Sequence, residues 1–87
     1  MVRPAEEEAQ RMIKAIAVLV RNTTWKCGRV ERLIINYLQT KIRKFGHTKV
    51  SVKEMLQHFK LDGKQKNEFL DAVRRLEKRR IIRVEPI

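Results

Sequence analysis

The sequence predicts a mainly α domain, four helices with a short two-stranded sheet, and three observations carry that expectation. Apolar residues recur at helical spacing in four separate stretches. A capping box of the form S-x-x-E marks one helix start. The chain closes on RIIRVE, whose β-branched residues and alternation suit a strand. At 87 residues there is room for one small core and none for a deep cleft between two domains.

The first helix is expected over about 5–21. Pro4 suits a helix start, where a missing N–H costs nothing, and Glu6, Glu7 and Glu8 sit where the helix dipole favours negative charge. Ala9, Met12, Ile13, Ile16, Ala17 and Val20 follow at helical spacing, and Val18 and Leu19 widen that face. The same AIAVLV run is also compatible with a strand; its continuity with the acidic start favours helix. The wide apolar face is read as core, with Met12, Ile13, Ile16 and Val20 as the candidate contact for a second copy of the chain.

NTTWKCG (22–28) breaks the pattern with turn and cap formers, and Trp25 is expected to plug a gap between helices. The second helix, about 28–45, carries Val30, Leu33, Ile34, Tyr37, Leu38, Ile42 and Phe45 as its inward stripe, and Gly46 is its stop signal. HTKV (47–50) reads as a short extended piece. Ser51 and Glu54 form the capping box, flanked by Val50 and Met55 as a hydrophobic staple. The third helix then runs to about 60, with Val52, Met55, Leu56 and Phe59 inward. Leu61-Asp62-Gly63 is the turn. The fourth helix is expected over about 64–79, with Phe69, Ala72, Val73 and Leu76 inward, before the strand at 80–85.

Charge points to the partner. Lys+Arg number 21 against 10 Asp+Glu, a net +11. Residues 1–28 hold only +2 of it, residues 29–63 hold +5 and residues 64–87 hold +4. A field of this strength concentrates polyanions and costs self-repulsion, which makes nucleic acid the first candidate partner, ahead of an anionic membrane or an acidic protein. A composition rich in charge and in Ile and Val is also of the kind that suits hot environments. Cys27 is the lone cysteine, so no disulfide forms within the chain, which fits a reducing cytoplasm. MIKAIAVLV is too short to span a bilayer and Lys14 interrupts it.

The order helix 28–45, strand 49–51, helix 52–60, turn, helix 64–79 and strand 80–85 resembles the winged-helix form of the helix-turn-helix DNA-binding domains. The pieces that carry it are KVSVKEMLQHFKL and FLDAVRRLEKRRIIRVE, and the resemblance covers about 60 of the 87 residues. It implies one winged-helix-like domain over 1–87, with 1–27 as an added N-terminal helix and 28–87 as the core. The connection from Leu61 to Phe69 is long for a tight turn, and the chain ends after its second strand, so a truncated wing is implied.

On the fourth helix, steps of about 100° put Lys64, Asn67, Asp71, Arg74, Arg75 and Lys78 opposite the apolar side. Lys and Arg reach guanine edges or phosphates, and Asn pairs with adenine. The resemblance implies that Lys64, Gln65, Lys66 and Asn67, near the start of the second helix of the motif, contact bases. Arg74, Arg75 and Lys78 are expected on phosphates, as are Lys49 and Lys53 beside the third helix. Asp71 repels phosphate, and an i,i+4 pair with Arg75 is expected for it.

His47, His58 and Cys27 share no metal-ligand spacing, and no nucleophile motif or phosphate-binding glycine loop is present, so the expectation is neither enzyme nor cofactor. A stacking platform for RNA is disfavoured because the few aromatics are assigned to the core. The leading expectation is a small regulator or architectural factor on double-stranded DNA. It is expected to act as a homodimer, because one short helix reads too few base pairs. The alternatives are an adaptor within a replication or transcription complex, and an RNA- or ribosome-associated protein.

Overall fold

A computed structural model describes residues 11–86. Three helices, α1 (Arg29–Phe45), α2 (Val52–His58) and α3 (Gly63–Lys78), pack with three strands, β1 (Ile16–Leu19), β2 (Lys49–Ser51) and β3 (Ile82–Glu85). The chain is mainly helical, and its sheet is antiparallel throughout, in the order β2-β1-β3.

The first correction concerns the N-terminal helix. Of the expected 5–21 span, residues 5–10 lie outside the described residues, 11–13 are helical, and 16–19 form a strand. β1 is the middle strand. Ala17 pairs with Val50 on one side and Val84 on the other and is wholly buried. The β-branched Ile16 and Val18 suit a pleated, half-buried surface better than a helix interior. Two neighbouring strands, which lie far away in sequence, supply what local reading lacked. The sheet therefore has three strands where two were expected, and the third comes from the N-terminal side.

The expected dimer face is corrected with it. Met12 is buried in the chain's own core and Ile13 packs against that core. Ile16 lies in the sheet opposite Ser51 and Glu85, and only Val20 is well exposed. The four residues do not form one helical stripe.

α1 starts after Gly28 and stops at Gly46, which takes a left-handed φ of 68°. Its buried residues are Glu31, Ile34, Ile35 and Leu38. The inward stripe is thus rotated from the expected one, which leaves Leu33 and Phe45 exposed. Ser51 caps α2 as its sequence implies, accepting the Glu54 N–H at 2.9 Å, and Val50 and Met55 are both buried.

α2 and α3 end alike. Leu61 N–H bonds to Leu56 O and Lys60 N–H to Gln57 O; Ile81 N–H bonds to Leu76 O and Arg80 N–H to Glu77 O. These paired bonds close each helix with a left-handed residue in the position that glycine usually takes. Here it is Lys60 (φ 54°) and Arg80 (φ 58°). A side chain in that conformation is strained by about 1 kcal/mol. Lys60→Gly is expected to raise stability by roughly 0.5–1 kcal/mol in urea unfolding, less than the full strain because glycine also loosens the unfolded chain. No gain would mean that the Lys60 side chain offsets its own strain.

α3 begins at Gly63, so Lys64–Asn67 belong to the helix as the expected 64–79 span has them, and the stretch from Leu61 to Phe69 is long because it includes the first turn of that helix. Phe69, Leu70, Ala72, Val73 and Leu76 bury its inner face.

Candidate nucleic-acid interface

The outer face of α3 is polar along its whole length. Lys64, Gln65, Asn67, Asp71, Arg74, Arg75 and Lys78 are all exposed. Lys66 is the exception. It sits about 160° around the helix from Lys64, on the side of Val73, and is half-buried. Among the four expected base-contact residues, Lys64, Gln65 and Asn67 are open to a partner and Lys66 is turned towards the core. Lys49 and Lys53 are exposed on either side of the cap residue Ser51.

The C-terminal half of α3 is engaged differently from expectation. Arg75 Nε donates to Glu31 Oε1 at 3.1 Å, so its partner is a residue of α1, where an i,i+4 pair with Asp71 was expected. Arg79 Nη1 lies 3.7 Å from Glu31 Oε2. Glu31 is only 7% exposed, and two guanidiniums supply its counter-charge. Arg75 keeps more than half of its side chain in solvent, so it can meet a phosphate only while sharing its charge with Glu31.

Arg79 also clamps the 22–28 loop. Its Nη2 donates to Trp25 O at 2.7 Å, and its Nη1 donates to Lys26 O at 3.1 Å and to Cys27 Sγ at 3.3 Å. Trp25 N–H is held by Thr23 Oγ1 at 3.2 Å, and Cys27 N–H by Thr24 O. Lys26 takes a left-handed φ of 56° to complete the bend. The loop does not plug a gap between helices as expected. Trp25 points outward and is 69% exposed, with the Lys26 ammonium 4.6 Å from its ring centre. Sequence reasoning missed this cluster because Glu31, Arg75 and Arg79 become neighbours only when α1 and α3 pack together.

A second polar cluster joins α1 to α2. Tyr37 donates its hydroxyl to Glu54 Oε2 at 2.8 Å, and Lys41 pairs with the same oxygen at 3.1 Å. The Tyr37 hydrogen bond, with help from Lys41, holds the Glu54 carboxyl below the usual glutamate range. Burial, and then the bond to Glu54, raises the Tyr37 phenol, and the bond to Glu54 raises Lys41. The side-chain rings of His58 and Phe59 lean on Tyr37 at centroid distances of 4.7 and 5.5 Å. Tyr37, Lys41, His58 and Phe59, with exposed Leu33 and Phe45, line a groove of about 390 Å³.

Among the described residues, no three His, Cys, Asp or Glu are grouped to hold a metal ion, and no helix is long and apolar enough to cross a membrane. Compared with protein-family models, curated proteins and solved structures, the chain matches none.

Proposed function

We propose that this is a small nucleic-acid-binding protein of the helix-turn-helix kind, a regulator or architectural factor, which lays the outer face of α3 against duplex DNA. The observation that carries the reading is the amphipathic division of α3. One side is buried in the core, and the other presents Lys64, Gln65, Asn67, Arg74 and Lys78 along the full helix. The tight join from α2 into α3 supports it, because Lys64–Asn67 then stand at the exposed start of the second helix, where such motifs read bases. In the resembling family a third strand belongs to the wing; here β1 fills the third place in the sheet, which is compatible with a wingless form. Lys49, Lys53 and Lys78 serve as phosphate contacts. A homodimer remains part of the proposal on the argument from specificity, without the N-terminal helical face first assigned to it.

The test is duplex binding by fluorescence anisotropy across a salt series. The expected result is a steep fall of log affinity with log salt. A Lys64→Ala, Gln65→Ala, Asn67→Ala variant is expected to lose about tenfold or more, since each good base contact is worth about 1–3 kcal/mol. No binding at low salt would overturn the proposal. Salt-dependent binding that the variant retains would reassign the contact to charge alone.

One observation favours a second reading, an adaptor in a larger complex. Leu33 and Phe45 are 46% and 60% exposed beside the groove on α1, an apolar edge that duplex binding through α3 leaves unused. Leu33→Ser with Phe45→Ser distinguishes the two, because it spares duplex binding if α3 is the reader.

A further inference from the structure

The feature that the duplex reading does not use is the tryptophan held out at the far end of α3. It borders the same hollow as Lys78, which lies eleven helical steps, about 16 Å along the axis, beyond Asn67. We propose that Trp25 is a stacking surface for an unpaired base of single-stranded nucleic acid, with Lys26 and Lys78 on the flanking phosphates.

Four observations lead there. Trp25 keeps 69% of its surface in water although a large aromatic gains most by burial. Its loop is built to hold it there: the Arg79 fork fixes the carbonyls of Trp25 and Lys26 and the sulfur of Cys27, and Thr23 fixes the Trp25 N–H. Beside the indole lies a hollow of about 560 Å³ bounded by Lys26, Glu31, Arg75, Lys78 and Arg79, a size in the range of small-ligand sites. The acid in that hollow, Glu31, is matched by Arg75 and Arg79, so the exposed Lys26 and Lys78 add positive charge not spent on it; Lys26 lies over one face of the indole, which leaves the other face for a base.

An exposed aromatic face beside exposed cations fits a ligand that is both flat and anionic. An acidic peptide would satisfy the cations and leave the indole idle; a nucleotide uses both. The base must be unpaired, because a base inside a duplex has both faces covered by its neighbours. Base–aromatic stacking of this kind tolerates any sequence. The inference also corrects the expectation that the aromatics of this chain are spent on its core, since Trp25 and Phe45 are the two most exposed large apolar residues described.

The inference shares its ligand class and Lys78 with the duplex reading, and one set of titrations separates them. Trp25 is the sole tryptophan, so its emission reports on this site alone. The full chain is titrated with a short oligothymidylate and with an abasic strand of equal length and charge. Quenching by the oligothymidylate and little by the abasic strand is the expected result. Trp25→Ala is expected to weaken binding of labelled oligothymidylate about tenfold at an unchanged thermal midpoint, and Trp25→Phe to recover part of the loss. Equal quenching by the abasic strand, or unchanged affinity in Trp25→Ala, would overturn the inference. Stronger quenching by polyglutamate than by the oligothymidylate would overturn it in favour of an acidic protein. Quenching by the oligothymidylate in an unsubstituted chain that fails to bind duplex would sink the duplex reading and leave this one standing.

Discussion

A chain that begins at residue 28 is expected not to fold. All three helices α1, α2 and α3 lie in 28–87 with β2 and β3, and by sequence that span reads as a self-sufficient core. The sheet says otherwise. β1 lies between β2 and β3, so its removal strips both of their partner. Ala17, Ala15 and Met12 leave the core at the same time, all of them at most 6% exposed. The bond from Val52 N–H to Ala15 O, at the start of α2, goes too. A domain of this size has a net stability of roughly 4–13 kcal/mol. Two lost ladders and three lost core residues exceed the lower part of that range and consume most of the upper. Far-UV circular dichroism of residues 28–87 on heating should show no cooperative transition. A sharp transition near that of the full chain would mean that β2 and β3 close over the core without β1.

Glu31→Ala is the single substitution expected to cost most outside the apolar core. The carboxylate is nearly buried between Arg75 and Arg79, with oxygens 3.1 and 3.7 Å from their nitrogens. Truncating it leaves two like charges facing each other across an apolar gap. Loss of a fully buried pair would cost about 3–5 kcal/mol. Arg75 is half in water and can rehydrate, so the expected loss is smaller, roughly 2–3 kcal/mol in urea unfolding. For a domain of this length that corresponds to about 10 °C or more in the thermal midpoint. Arg75→Ala should cost clearly less, because Arg79 still faces the carboxylate. A loss below about 0.5 kcal/mol for Glu31→Ala would place the pair among ordinary surface ion pairs.

What could be read in the sequence was local, and what could not was set by distant neighbours. The Ser51–Glu54 cap, the Gly46 stop and the inner face of α3 each depend on residues a few positions apart, and all three are found. α1 carries more apolar residues than one face can bury, and sequence alone does not say where the buried edge falls. The expected stripe shares Ile34 and Leu38 with the packed one but takes in Leu33 and Phe45, whereas the packed one takes in Ile35 and Glu31. Only the arrival of Arg75 and Arg79 from α3 makes a buried glutamate affordable there. AIAVLV was ambiguous on its own residues, and its partners lie 31 or more positions away. On the candidate interface, helical periodicity found the exposed row of α3. The resemblance, not the periodicity, grouped Lys66 with the open residues, and Trp25 was missed because nothing local announces that a loop will be clamped open by an arginine more than fifty residues later.

The middle position of β1 also fixes when the molecule can become itself. Leu19 pairs with Ile82 and Ile16 with Glu85, residues 63 to 69 positions further along the chain. Contacts so distant demand that a long loop close before any gain is collected, which slows folding relative to a bundle of local helices. During synthesis β1 must wait for residues made more than sixty positions later, since chains are built from the N-terminus. Until then the β3 edge of β1 is unpaired and open to strands of other chains. A chain that stops before Ile82 would therefore leave β1 with one of its two neighbours missing.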